Sequence, residues 1–123
     1  MRVRFSLLLV LLSVIHPHCQ ADESQQALVR LVETDDSLCL AHGGKMVSLQ
    51  LTEAAMSVDQ SPVEVWIDRW FMQVQTADHT RHVLTPEVPE TELGCSQSIA
   101  GPQHWTLGTI KRLPVAGAPY RKD

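Results

Sequence analysis

The chain has 123 residues, of which 44% are hydrophobic and 20% are charged, and its formal net charge at pH 7 is −4. A chain of this length suits one small domain with a single hydrophobic core rather than two domains. Its acidic balance, with no cluster of Lys or Arg, argues against nucleic acid and anionic membrane surfaces as natural targets, since both attract basic patches.

The chain begins with a short basic segment and an apolar run. Arg2 and Arg4 precede the run FSLLLVLLSVI, an arrangement typical of a secretory signal peptide. The run is too short for a membrane-spanning helix, which needs about 20 residues. Small residues are required shortly before the cut, and Cys19 and Ala21 meet this requirement if cleavage follows Ala21. We therefore predict a signal peptide over 1–21.

Cys19 has alternative roles as a lipid anchor, a metal ligand or a disulfide partner. A lipoprotein signal has small residues before its cysteine, whereas His16-Pro17-His18 stands here. Cleavage as predicted removes His16, His18 and Cys19 together. It leaves Cys39 and Cys95 as the two cysteines of the exported protein.

These two cysteines predict one disulfide. In an exported protein an even number of cysteines indicates disulfide bonding, and Cys39 and Cys95 allow only one pairing within the chain. Closing the loop between them would stabilise the domain by about 4 kcal/mol in the chain-entropy model, comparable to the whole stability of a small domain. Free thiols or metal ligation are the alternatives.

The predicted domain covers 22–113, and its first half suggests short elements. Residues 27–33 suit a strand or one short helix. Residues 37–51 predict a β-hairpin, because Gly43-Gly44 can take positive φ angles in a two-residue turn. Residues 52–60 are ambiguous and have room for one helical turn.

Residues 61–75, SPVEVWIDRWFMQVQ, fit two kinds of element. Ser61, Pro62 and Glu64 resemble the start of a capped helix, which would cover 62–75 and make the domain α+β. The apolar positions, however, hold mostly β-branched and aromatic residues, which favour a strand. We therefore predict a mainly β fold, a small antiparallel barrel or sandwich with one disulfide.

The remaining segments predict loops, one strand and a tail. Residues 76–81, TADHTR, are expected to form the polar loop of a second hairpin, and 86–94 an acidic, proline-rich loop. Residues 104–113 predict a final strand interrupted at Gly108. The segment 114–123 has little to bury and is expected to be a mobile C-terminal tail.

A histidine-rich segment is the candidate metal site. Asp78, His79 and His82 lie close together in the sequence. Zinc sites normally use three or four protein ligands, so His104 or His42 would have to complete the set. Solvated loop histidines are the simpler interpretation, and we predict neither a metal nor another cofactor.

A tryptophan pair is the candidate contact surface. Trp66 and Trp70 are four residues apart, a spacing that places them on one face of either a strand or a helix. On a strand, Met72 shares that face. Trp and Met are enriched at binding interfaces, so Trp66, Trp70 and Met72 are predicted partner-binding residues. Burial of both faces of the strand is the alternative.

No catalytic constellation is present in the sequence. The chain lacks a Gly-x-Ser-x-Gly motif, and a disulfide at Cys95 would remove the nucleophile from any pair with His104. We therefore expect a protein that is not an enzyme.

The predicted function is protein binding after export. The chain has no asparagine, a bias typical of GC-rich bacterial genomes. Together with the signal peptide, this predicts localisation in the periplasm, with secretion as the alternative. We expect a soluble module, for example an inhibitor or immunity protein that occludes an enzyme, with no nucleic-acid partner and no membrane insertion after cleavage. The alternatives are a periplasmic metal-binding accessory protein that uses Asp78, His79 and His82, and a structural subunit of an envelope complex.

Overall fold

The computed structural model describes residue 25, residues 27–58 and residues 60–114. Seven strands lie in these ranges: β1 (Val29–Thr34), β2 (Met46–Leu51), β3 (Val63–Phe71), β4 (Val74–Leu84), β5 (Glu90–Cys95), β6 (Gln97–Ser98) and β7 (Gly101–Arg112). The same ranges contain two short helices, α1 (Ser37–Leu40) and α2 (Glu53–Val58). None of the helices in this part of the chain is long and apolar enough to cross a membrane.

The strands form two antiparallel sheets that pack as a sandwich. Sheet A has three strands in the order β1-β2-β5, and sheet B has four in the order β4-β3-β7-β6. This architecture confirms the predicted mainly β fold with one disulfide. The alternative helix over 62–75 is wrong, because β3 occupies that segment as a central strand paired on both sides.

The core lies between the two sheets. On β3, the alternating residues Val63, Val65 and Ile67 are at most 1% exposed, so this face of the strand packs inward. The other buried members of the core are Val29, Leu49, Leu51, Ala55, Leu84 and Ile110. Successive side chains of a strand point to opposite faces, so Trp66 and Trp70 lie on the outer face of sheet B.

The hairpin predicted at Gly43-Gly44 is wrong. Residues 37–40 form α1, because the Asp36 carboxylate caps it and accepts hydrogen bonds from the backbone N–H of Leu38 at 2.9 Å and of Cys39 at 3.2 Å. Gly43 does adopt a positive φ of 77°, but it ends this helical turn instead of joining two strands. β2 pairs with β1 and β5 instead.

The predicted disulfide is confirmed. Cys39 in α1 and Cys95 at the end of β5 are joined, with their Cα atoms 5.2 Å apart and 56 positions apart in the sequence. Cys39 is 0% exposed. The bond therefore ties the helix that follows β1 to the far edge strand of sheet A.

Several smaller predictions have clear outcomes. Residues 27–33 contain the strand β1 rather than a short helix, and the expected helical turn within 52–60 is α2. The segment 86–94 is a loop only as far as Pro89, because Glu90–Cys95 pairs with β2. The final strand is longer than predicted. The predicted signal peptide and residues 115–123 lie outside the described residues.

The loop predicted over 76–81 is also wrong. These residues belong to β4, and the hairpin turns earlier, at Met72–Gln73. Cross-strand pairs with β3 hold the polar run in the sheet: Arg69 Nε donates to Asp78 at 2.7 Å, and His79 Nδ1 lies 2.7 Å from Asp68. A polar composition is therefore compatible with a strand whose neighbour supplies complementary charges.

The turn at Met72–Gln73 is strained. Both residues have positive φ, 47° and 66°, in a two-residue hairpin turn that normally selects Asn or Gly. We expect Gln73→Gly to raise the free energy of unfolding by about 1 kcal/mol, because it removes the steric cost of a side chain in the left-handed region. Urea unfolding measures the change.

A matched glycine variant provides the control for this prediction. Gln75→Gly changes an exposed residue of the same type inside β4, where glycine weakens a strand, and should lower stability by about 0.5–1 kcal/mol. Equal losses in both variants would contradict the conformational account of the turn.

Candidate functional site

Two turns meet at one end of sheet B and present exposed apolar side chains. The first is Met72–Gln73, between β3 and β4, and the second is Ile99–Ala100, between β6 and β7. Pairing of Ser98 with Gly101 closes the second turn. The Met72 N–H donates to the Pro102 carbonyl at 2.9 Å, which joins the two turns.

Glycine at position 101 lets the two turns approach closely. Gly101 has a φ of 149°, and a Cβ added there would lie 3.1 Å from Met72 Cγ and 3.3 Å from Phe71 Cζ. A side chain would therefore push Met72 away from the second turn. The backbone of β7 supports Met72 from one side while its side chain remains open to solvent.

The exposed residues here are large and apolar. Met72 is 58% exposed, Val74 68% and Ile99 92%. We call Met72, Val74 and Ile99 the hairpin tip. A grouped set of exposed large apolar side chains marks a binding surface more often than single scattered ones do.

The hairpin tip also lies in two uncharged segments of the chain. The segments 70–77 and 93–110 contain no Asp, Glu, Lys or Arg, although 20% of the whole chain is charged. Depletion of charge together with Met and aromatic residues is the composition of an interface core. These uncharged segments are visible in the sequence, yet Met72 is the only one of the three tip residues among the predicted partner-binding residues, and Val74 and Ile99 are not.

Trp66 and Trp70 lie on the outer face of sheet B, and only Trp70 is close in sequence to Met72 at the end of β3. Each indole is half-buried and stacks on a histidine of a neighbouring strand: Trp66 on His79 with ring centroids 4.7 Å apart, and Trp70 on His104 at 5.6 Å. Trp70 Nε1 donates to Thr106 at 2.9 Å. These contacts fix both rings in place and leave part of each accessible.

A charged cluster borders Trp66 on the same face. Glu64 is 7% exposed, accepts a hydrogen bond from Arg81, and lies 3.6 Å from Lys111 Nζ. Trp66 Nε1 also donates to Glu64, at 3.3 Å. The hydrogen bond from Arg81 is the largest of several causes that together hold the pKa of Glu64 below its ordinary value.

The lowered pKa of Glu64 predicts a specific acid sensitivity. A carboxylate with a lower pKa in the folded state contributes stability above its unfolded pKa, and this contribution is lost as pH falls through the folded pKa. We expect Glu64→Gln to reduce the loss of stability in acid, measured as thermal midpoints from neutral to acidic pH. Glu87→Gln, in an exposed loop, is the control; a steep acid loss that persists unchanged in Glu64→Gln would contradict this assignment.

The three candidate metal ligands do not come together. His79 lies on the outer face of sheet B with Trp66, whereas Asp78 and His82 line the inner side between the sheets. Among the described residues, no group of three or more His, Cys, Asp or Glu side chains is placed to hold a metal ion. Strand alternation places Asp78 and His79 on opposite faces of the sheet, so these three residues do not form one ligand set.

Comparison with protein families, curated proteins and solved structures finds no match to this chain. Function is therefore inferred from the hairpin tip, the two tryptophans and their surroundings.

Proposed function

We propose that this protein is an exported binding module that docks a protein partner through the hairpin tip. The observation that carries the proposal is the exposure of Met72 and Ile99 on two adjoining tight turns, and of Val74 at the start of β4, in uncharged segments of the chain. Apolar residues presented on rigid turns lose little conformational freedom on binding, which favours affinity. Trp70, close to Met72 in sequence and on the outer face of sheet B, would lie beside the contact.

The chemistry of the hairpin tip favours protein over lipid. Binding to anionic lipid uses Lys or Arg near the inserted apolar groups, and neither 70–77 nor 93–110 contains such a residue. Three apolar side chains alone bury too little surface for stable anchoring. A complementary apolar pocket on a protein would bury them completely.

The shape of the hairpin tip supports inhibition as the mode of action. A hairpin end with apolar side chains at its turn is convex and suits a concave partner, such as the cleft of an enzyme. The Met72–Gln73 turn is strained, and strained backbone occurs preferentially at functional sites. We therefore propose that the protein occludes the cleft of an enzyme and that it is localised in the periplasm.

Two features support the proposed periplasmic localisation. The segment 1–21 has the composition of a secretory signal, and the fold contains the Cys39–Cys95 disulfide. Disulfides persist in oxidising compartments such as the periplasm and the extracellular space.

Capture of a partner tests the proposal. The chain without residues 1–21 is immobilised and exposed to periplasmic extract, in parallel with the variants Met72→Gln and Ile99→Gln. A stoichiometric enzyme that is retained by the parent chain, lost with both variants and inhibited in solution supports the proposal. A multi-subunit envelope complex retained through the same residues would overturn inhibition in favour of the structural role.

Val88→Gln provides the matched control. Val88 is 60% exposed in the loop between β4 and β5, so the substitution removes a comparable apolar side chain away from the two turns. Retention of the same partner by Met72→Gln and Ile99→Gln, but not by Val88→Gln, would contradict the hairpin tip as docking surface.

A further inference from the structure

A cleft between the two sheets lies apart from the outer face described above. It has a volume of about 380 Å³, within the ordinary range for small-ligand sites of roughly 300–1,000 Å³. Its lining comes from β3, β4, β5 and β7, namely Arg69, Asp78, Thr80, His82, Glu92, Leu93, Gln103 and Trp105. The cleft does not include any residue of the hairpin tip.

Irregular strand pairing borders the cleft on two sides. In β5, Leu93 is an extra residue between the pairs Val47–Gly94 and Ser48–Glu92, so that both Glu92 and Leu93 line the cleft. In β4, three residues, including Asp78, lie opposite the single residue Arg69. Bulges occur preferentially beside functional sites, where they redirect side chains.

Trp105 forms an aromatic wall against β5. A Cβ added at Gly94 would lie 3.1 Å from Trp105 Cη2, so only glycine lets the indole lie against the backbone of β5. Gly94 has a φ of 150°, which also favours glycine. The ring of Trp105 and the side chain of Glu92 therefore line the same cleft from adjoining parts of the two sheets.

Most polar groups of the lining satisfy one another. Arg69 donates to Asp78 and, at 3.2 Å, to Gln103 Oε1, and Gln103 Nε2 donates to the Cys95 carbonyl at 2.8 Å. Thr80 Oγ1 lies 3.0 Å from His82 Nε2. These side chains are held in place before any ligand arrives.

Glu92 is the exception. Among the described residues its carboxylate has no hydrogen-bond or ion-pair partner, and it is exposed at the cleft. The lining contains one positively charged group, the guanidinium of Arg69, and two carboxylates, those of Asp78 and Glu92. Burial holds the pKa of His82 below its ordinary value, which favours its neutral form. The uncompensated charge of the cleft is therefore negative.

We infer that the cleft binds a small organic cation, an alkyl ammonium or guanidinium group, between the carboxylate of Glu92 and the ring of Trp105. A carboxylate supplies a charge-assisted hydrogen bond, and an indole face attracts a cation. The group arrives either as a free amine or as the side chain of a Lys or Arg in another protein. This inference does not depend on docking at the hairpin tip.

Titration of three probes with four carbon atoms each tests the inference. The chain without residues 1–21 is labelled with ¹⁵N and titrated with n-butylamine, n-butanol and butyrate at millimolar concentrations. We expect n-butylamine alone to shift the indole N–H signal of Trp105, while the signals of Trp66 and Trp70 stay in place. Equal shifts with all three probes, or no shift at Trp105, would overturn the inference.

Two carboxamide variants locate the charge. Glu92→Gln should weaken n-butylamine binding by about tenfold or more, as expected for losing one charge-assisted hydrogen bond. Glu87→Gln removes an exposed acid outside the cleft and should leave binding unchanged. Equal binding by Glu92→Gln and the parent chain would exclude the proposed role of Glu92.

A fourth probe distinguishes the two sources of the cation. N-acetyl-lysine methylamide presents the same ammonium group on a peptide backbone. Tighter binding of this probe than of n-butylamine assigns the cleft to a protein side chain. Weaker binding assigns it to a free amine.

Discussion

Removing the disulfide is expected to lower the free energy of unfolding by about 4 kcal/mol, which is most of the stability of a domain of this size. Alanine replaces both cysteines in the double variant Cys39→Ala/Cys95→Ala, because a single substitution would leave a free thiol and serine would place a hydroxyl at a buried position. Cys39 is 0% exposed and anchors α1, so loss of the bond also frees this helix from β5. Urea unfolding followed by circular dichroism measures the effect.

The reduced parent chain is the control for the disulfide. Reduction without substitution should shift the unfolding midpoint in the same direction and by a similar amount as the double variant. If both forms unfold at the midpoint of the oxidised chain, Cys39–Cys95 contributes nothing, and the account of how this small domain is stabilised is wrong.

The two faces of β3 are expected to respond differently to truncation. Ile67 is 1% exposed in the core, and Ile67→Ala should cost about 2–5 kcal/mol through lost burial and a residual cavity. Trp70→Ala removes a larger side chain but only a half-buried one, with one ring stack and one hydrogen bond, and should cost about 1–2 kcal/mol.

Urea unfolding of both variants gives this comparison. The expected order is a larger loss for Ile67→Ala, with Trp70→Ala remaining folded and cooperative. A loss for Trp70→Ala that equals or exceeds that for Ile67→Ala would mean that the outer face of sheet B is covered and not available to a partner. Trp66 and Trp70 would then be core residues of a domain buried on both sides.

Much of the fold could be predicted from the sequence, for physical reasons that differ between elements. The β-branched and aromatic residues of 63–71 favour a strand, and the structure has one there. The pairing of Cys39 with Cys95 is the single possibility once Cys19 is predicted to leave with a signal peptide. The helix at 37–40 was missed because Gly43-Gly44 indicates a turn without saying what the turn joins.

The position of the β3–β4 turn could not be predicted because tertiary pairing overrides local preference. Residues 76–81 are polar and suit a loop by composition, yet they form a strand whose charges are matched by Asp68 and Arg69. The actual turn uses Met72–Gln73, which lacks the usual turn residues. A residue pair that fits its turn poorly leaves no sequence signal for the turn.

The candidate site could be predicted only in part, because tertiary pairing of the strands brings its residues together. Met72 was predicted as a partner-binding residue, but its grouping with Ile99 depends on how β6 and β7 return beside the first hairpin. The uncharged segments 70–77 and 93–110 were the available signal. Separation of His79 from Asp78 and His82 likewise follows from strand alternation once the segment is known to be a strand.

Transfer of magnetisation from the bound partner to methyl groups of this chain tests the docking surface most directly. The complex is formed with a deuterated, methyl-labelled chain and an unlabelled partner, and the partner is irradiated. Saturation is expected at the methyl groups of Met72, Val74 and Ile99, with no effect at Val88, which is exposed in the loop between β4 and β5. Saturation at Val88 with none at Met72, Val74 and Ile99 would contradict the proposed function.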